Sequence, residues 1–256
     1  MISLTVLVLT YNEKENIGRS IAALSWAENI LLIDSGSTDG TTELARSAHP
    51  NVHLLKREFD SFANQCNFGL SEITTEWVLS LDADYIVTPE LRAEIAVLDP
   101  APDVVGYSVE FRYCIFGRPL RSSVYPARTV LYRRQRARYR DEGHGHRVVI
   151  DGNVKNLRGK MDHDDRKSLS HWLHSQDGYA KVEAGYLLSQ PVAELAIQDR
   201  LRRNIFFAAP VMFLYLLFAR GLIFDGCPGW FYVCQRTIAE LVLSMRLLSE
   251  REKRTS

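Results

Sequence analysis

A chain of 256 residues with 31 basic and 31 acidic side chains has no net field of the kind that draws nucleic acid or acidic partners. Its length suits one large domain, or one domain with an appendage. The four cysteines (Cys66, Cys114, Cys227 and Cys234) make no C-x-x-C pair, which argues against a zinc knuckle or a dense disulfide scaffold and for reduced thiols in a cytoplasmic setting.

The opening MISLTVLVLTYNEKEN turns apolar at once, without a basic leader region or a small-residue cleavage site. It is expected to be a first strand buried on both faces, in a protein that is not exported. NEKENIGRSIAAL then sets Ile17, Ile21 and Leu24 at helical spacing. NILLIDSGSTDG is a second apolar strand that stops at Asp34, and TTELARSAH opens a helix after it. NVHLLKR, SFANQCNFGLSE and EWVLSLDAD continue as strand, helix and strand, and Thr88-Pro89-Glu90 starts another helix with proline in its first turn. Strands alternating with helices of this length imply βαβ units. The expected class is therefore α/β, a Rossmann-like, mostly parallel mixed sheet flanked by helices.

From about residue 105 the pattern changes. VVGYSVEFRYCIFG and ARTVLYRR read as strands, RRQRARYRDEGHGHRV as an arginine-rich loop, and SLSHWLHSQDGYAKVEAGYLLSQ as a long amphipathic helix. In the tail, NIFFAAPVMFLYLLFARGLIF is strongly apolar, but its uninterrupted run is shorter than the ~20 residues of a spanning helix and contains Pro210. The last helix, Gly229 to Leu248, carries Cys234, Ile238, Leu241, Val242, Met245 and Leu248 on one stripe. The expectation is a pair of interfacial helices on a membrane surface, with basic flanks toward anionic headgroups; a packed hairpin and a true span are the alternatives. The implied division is 1–190 for the main domain, in halves 1–104 and 105–190, and 191–256 for a membrane-associated helical hairpin.

Ligands of such sheets bind beyond the carboxyl ends of the strands. Three of these ends carry polar clusters: Thr10-Tyr11-Asn12-Glu13, Asp34-Ser35-Gly36-Ser37 and Asp82-Ala83-Asp84. A lone D-x-D is most often a turn or a cap. Beside two more polar strand ends, however, Asp82 and Asp84 suit Mg²⁺ or Mn²⁺, whose other positions go to water and phosphate oxygens. Such a cation offsets the charge of a leaving diphosphate.

VLVLTYNEKENI, LLIDSGSTDGT and VLSLDADYIV, in this order and at these spacings, resemble the nucleotide-sugar-binding half of family-2 glycosyltransferases with the GT-A fold. The likeness spans roughly residues 3–150. TVLYRRQRARYRDEGHGHRVVIDG further resembles the acceptor-side segment of bacterial lipopolysaccharide-core and exopolysaccharide transferases. The resemblance implies an inverting, metal-dependent enzyme. It would move a sugar from a nucleotide donor, a UDP-sugar, to a glycan or lipid-linked acceptor at the inner face of the cell membrane. Thr10, Tyr11 and Glu13 would line the uracil and ribose pocket, Asp34 would meet the base, and Asp84, with Asp82, would ligate the metal. Asn12, Ser35, Gly36, Gln65 and Ala83 complete the expected donor crevice.

Two departures from the resembled family stand out. Tyr85 follows the third motif where many relatives are acidic, and Gly145-His146 stands where many have His-Glu. The base that takes the acceptor proton is therefore His146, or else Asp141 or Glu142 in the same segment. His163 is a weaker candidate for the shell around Asp84; MDHDDRKSLS reads more simply as a helix-start region with Asp164, Asp165 and Ser168 as capping candidates. Arg128, Arg133 and Arg134 are weaker candidates to reach a diphosphate, since arginines flanking a strand are usually solvated. A polyprenyl-phosphate acceptor, already ionised, would need no such base. A non-catalytic nucleotide-binding scaffold is the remaining reading.

Overall fold

The computed structural model describes residues 2–142 and 145–255, and for 142, 145–146 and 254–255 it describes the backbone alone. In chain order the elements are β1 (Leu4–Thr10), α1 (Ile17–Ala22), β2 (Ile30–Asp34), α2 (Thr41–Ala48), β3 (Val52–Lys56), α3 (Phe62–Glu72), β4 (Trp77–Asp82), β5 (Tyr85–Val87) and α4 (Pro89–Ala96). There follow β6 (Val104–Val109), β7 (Phe111–Ile115), β8 (Arg118–Pro119), β9 (Arg128–Arg133), β10 (Ala137–Glu142), β11 (Gly145–Ile150), β12 (Asn153–Asn156) and β13 (Met161–His163). The remainder is helical: α5 (Leu169–Ser189), α6 (Ile197–Arg203), α7 (Ala208–Leu214) and α8 (Gly226–Thr255). The chain divides into two compact units, Met1–Gly117 with Val124–Arg166, and Arg118–Ser123 with Lys167–Ser256.

The first unit is the expected α/β layer. Its seven-stranded sheet has the order β12-β6-β9-β4-β1-β2-β3. β4, β1, β2 and β3 are mutually parallel, and β9 is antiparallel to both β4 and β6. The apolar runs explain this: Val6, Leu7 and Val8 of β1 and Leu32 and Ile33 of β2 are fully buried, as strands covered on both faces must be. Each such side chain contributes about 1.5–3 kcal/mol through the area it removes from water. Ile17, Ile21 and Leu24 join the core on one face, while Ala63, Cys66 and Leu70 of α3 close the other. α3 rides so close to β1 that a Cβ at Gly69 would stand 2.5 Å from Leu7 Cδ1.

Two local expectations change. RRQRARYRDEGHGHRV, expected as a loop, forms the antiparallel pair β10–β11 with Asp141 opposite His146 in register. The segment around His163, expected as a helix start, is the short strand β13, held between β5 and β7. Ser168, one of the expected caps, does cap α5 by accepting from the His171 amide at 3.2 Å.

The second unit is helical. Leu187 of α5 packs with Leu243 and Leu247 of α8, so α5 divides from the first unit at Arg166 rather than staying with it to residue 190. Arg202 of α6 is held at once by Glu183 of α5 and Glu240 of α8. Among the described residues no single helix is long and apolar enough to cross a membrane; Ala208–Ala219 and Leu222–Lys253 would do so only as a pair bent by 70°. On α8 the expected stripe faces outward at Ile238, Leu241, Met245 and Leu248, whereas Tyr232, Val233, Leu243 and Leu247 are buried.

Candidate active site

The strand order reverses at β1, which has β2 on one side and β4 on the other, and such a switch point opens a crevice at the carboxyl ends. Register brings the motifs there: Thr10 lies opposite Asp34, and Leu9 opposite Asp82. The first two motifs are zipped together. The Asn12 amide donates to Ser37 Oγ at 2.9 Å, the Glu13 amide to Thr41 Oγ1 at 2.7 Å, and the Thr38 amide to Asn12 Oδ1 at 2.9 Å. Asn12 adopts φ 52° and Gly36 φ 94°, left-handed values that asparagine and glycine tolerate best.

Within this rim the residues differ sharply. Tyr11 is 59% exposed, a ring standing clear at the end of β1. Thr10 is buried and its Oγ1 meets no partner, a polar atom ready for a ligand. Asp34 is fully buried, and its carboxylate accepts from the Gly36 amide at 3.0 Å, the Ser37 amide at 3.0 Å and the Ser37 hydroxyl at 2.5 Å. Its oxygens are spent on building the loop. Gln65 is also buried: it accepts from Arg57 and donates to Ser35 Oγ at 2.9 Å and to the Arg57 carbonyl at 3.0 Å. It braces the second motif from behind. Glu13 accepts from Asn16 Nδ2, which also reaches Asp165, while Asn16 Oδ1 accepts from Arg19 and from the Arg166 amide. This buried asparagine ties the first motif to the chain after β13.

At the third motif Ala83 is buried and its two neighbours are not equivalent. Asp84 Oδ2 lies 3.0 Å from His163 Nε2, and both side chains are largely enclosed. Burial opposes the charged imidazolium, but the adjoining Asp84 carboxylate outweighs it and holds the His163 pKa above its ordinary value. Asp82 is more open, with Arg128 Nη1 3.9 Å away. The rings of Tyr113 and Tyr125 stand 4.6 and 4.7 Å from that of His163. Tyr85, buried, shares a 2.5 Å hydroxyl contact with Tyr125 and packs edge-on to Phe111.

Among the described residues no group of three or more His, Cys, Asp and Glu side chains stands ready as a metal cage. Asp84, His163 and Asp82 nevertheless supply carboxylate and imidazole donors. His163 Nδ1 is buried without a hydrogen-bond partner, so that ring is fixed by Asp84 and by its aromatic neighbours. Carboxylates such as Asp82 and Asp84 are the kind of oxygen donor that Mg²⁺ and Mn²⁺ take beside water and phosphate oxygens.

The expected bases fall differently. Asp141 accepts from the Ala63 amide at 3.1 Å, at the amino end of α3. Asn67 grips the same strand, donating to the Tyr139 carbonyl at 3.0 Å and accepting from its amide at 2.8 Å. The β10–β11 pair is thereby fastened to α3. The side chains of Glu142 and His146 lie outside the described residues. From the sequence Arg128 is a weak candidate to reach a diphosphate and His163 a weak one for the shell around Asp84, because neither belongs to a motif; strand register brings them to the D-x-D.

The chain is similar to several known proteins. The family model described as Glycosyl transferase family 2 matches residues 5–163. Over 235 residues the chain is 29% identical to the lipopolysaccharide core biosynthesis glycosyltransferase LpsC of Rhizobium meliloti, covering 89% of this chain and 85% of that protein. Over 116 residues it is 32% identical to the undecaprenyl-phosphate 4-deoxy-4-formamido-L-arabinose transferase of Yersinia pestis, covering 40% of this chain and 35% of that one. A crystal structure described as a mycobacterial protein superposes with a TM-score of 0.50 at 16% identity, covering 73% of this chain and 74% of the other.

Proposed function

Since the chain belongs to glycosyl transferase family 2, we propose that it moves a sugar from a UDP donor, with inversion, to a hydroxyl of a lipid-linked or core-oligosaccharide acceptor in bacterial lipopolysaccharide synthesis. The observation that carries this reading is the meeting of three polar strand ends at the β1 switch point, with Thr10 opposite Asp34 and Leu9 opposite Asp82. The long match to a lipopolysaccharide core glycosyltransferase supports the acceptor class.

Tyr11 offers an exposed ring for a base to stack on, and the Thr10 hydroxyl offers it an unspent polar atom. Asp34 and Gln65 act one layer back by fixing the loop of residues 35–37. Asp84 and Asp82 would hold a divalent cation. Bound there, it would supply a Lewis acid for the departing diphosphate. The acceptor oxygen attacks the anomeric carbon as the bond from that carbon to the diphosphate oxygen breaks, and His146 takes the acceptor proton. Asp141 keeps β10 on α3 and so aims the β10–β11 pair. If polyprenyl phosphate were the acceptor, no proton would need removal and His146→Ala would turn over normally.

The second unit is proposed to rest on the inner face of the cell membrane. Phe206, Phe207, Phe218 and Phe224 are more than half exposed, an apolar display suited to a headgroup boundary. Co-sedimentation with anionic vesicles, lost on replacing Phe206, Phe218 and Phe224 by serine, is the expected result; equal sedimentation of the triple variant would overturn the membrane assignment.

The test of function is a donor panel. Purified protein with Mn²⁺ or Mg²⁺ is expected to be stabilised by one UDP-sugar, with Tm rising as free donor exceeds Kd, and Asp84→Ala is expected to abolish the metal-dependent part. No response to any nucleotide sugar would sink the proposal.

A further inference from the structure

β9 runs antiparallel to β4 with Trp77 opposite Arg133, Val78 opposite Tyr132 and Leu79 opposite Leu131. Carried three residues further, the same register sets Arg128 across from Asp82, and Arg128 Nη1 does lie 3.9 Å from the Asp82 carboxylate. That distance is too long for a hydrogen bond. What holds the guanidinium is neutral: its plane sits 5.0 Å over the Tyr125 ring, and Nη1 donates to the Tyr85 hydroxyl at 3.3 Å.

A second arginine in the same unit shows what a structural pair looks like. Arg112 grips Asp162 with two parallel bonds, Nε to Oδ1 at 2.6 Å and Nη2 to Oδ2 at 3.0 Å, the bidentate fork that arginine prefers with a carboxylate. Among the described residues Arg128 meets no such fork. There one of its five N–H donors is spent, and its side chain is 41% exposed. It is pinned by ring and hydroxyl, and its remaining donors are open to an anion.

We propose that Arg128 is a positioning residue for the donor: its guanidinium, aimed by Tyr85 and Tyr125, holds a phosphate oxygen of the nucleoside diphosphate beside the D-x-D pair, so that part of donor binding needs no metal. The inference rests on the reading of the crevice as a nucleotide-sugar site. It also assigns a purpose to a tyrosine at 85. An aspartate there would meet Arg128 with a charge and consume its fork, whereas a phenol orients the cation without neutralising it.

The experiment measures binding of UDP and of uridine in EDTA and again with Mn²⁺, for the wild type, Arg128→Gln, Arg128→Lys and Tyr85→Asp. Wild type is expected to bind UDP in EDTA with an affinity that falls as salt rises. Arg128→Gln and Tyr85→Asp are each expected to weaken UDP at least tenfold in EDTA and to leave uridine unchanged, with Arg128→Lys in between. Unchanged uridine binding also shows that the variants fold. UDP binding equal in Arg128→Gln and wild type, or equal loss of UDP and uridine, would overturn the role of Arg128. Wild-type binding of UDP only when Mn²⁺ is present would overturn the metal-free contribution. A wild type that binds neither UDP nor uridine under any condition would overturn the nucleotide-sugar reading itself, and the inference with it.

Discussion

The two acidic strand ends of the crevice, Asp34 after β2 and Asp82 with Asp84 after β4, solve the same electrostatic problem in opposite ways. Asp34 is answered locally: the amides of Gly36 and Ser37 and the Ser37 hydroxyl close on it within three residues. Asp82 and Asp84 are answered from afar, by Arg128 and by His163, residues on other strands. A carboxylate whose hydrogen bonds are made by its own loop builds structure. One faced at a crevice by side chains from other strands can exchange those partners for a ligand. The difference separates an acid held by its own loop from two whose partners come from other strands.

The largest expected effect comes from the distant type. Asp84→Asn should lower turnover by a factor of about 100–1,000, the loss expected when several kcal/mol of transition-state charge stabilisation goes, at about 1.36 kcal/mol per tenfold. The melting temperature should move little. Turnover within threefold of wild type would erase the distinction between the two acids. Next, Asp34→Ala should cost about 2–4 kcal/mol in urea unfolding, since it strands buried donors; a loss below about 0.5 kcal/mol would show that the loop does not depend on its carboxylate. Asn67→Ala should cost about 1–2 kcal/mol by removing both bonds to Tyr139, and amide exchange across residues 137–142 should speed up. The smallest effect is that of Asp141→Ala, about 0.3–1 kcal/mol, the worth of a carboxylate at a helix amino end. A collapse of turnover in Asp141→Ala with stability nearly intact would move the general base from His146 to Asp141.

Much of the first unit was legible because its signals are local. Four apolar runs with helical spacers fix a parallel α/β layer, and the Ser61 and Thr88 caps mark where α3 and α4 begin. The arginine-rich segment was not legible as β10–β11. Its strands form the ladder between β10 and β11, which Asn67 fastens to α3 by bonding Tyr139 across seventy-two residues, a contact no local pattern reports. Gln65 sits in a helix whose spacing shows only that it is near the crevice; its turn inward to Ser35 is set by packing. The stripe on α8 was visible as a periodicity, but which apolar face packs depends on α5, whose Leu187 meets Leu243 and Leu247.

The sequence by itself determined the strand–helix alternation, the three polar strand ends and the D-x-D pair, since propensity, period and turn chemistry act within a few residues. Only the tertiary structure decided which acid is held by its own loop and which meets side chains from other strands. Hydrogen bonds and ion pairs form between whatever groups register brings together, and it is the pairing of β9 with β4, and of β13 with β5, that sets Arg128 beside Asp82 and His163 beside Asp84.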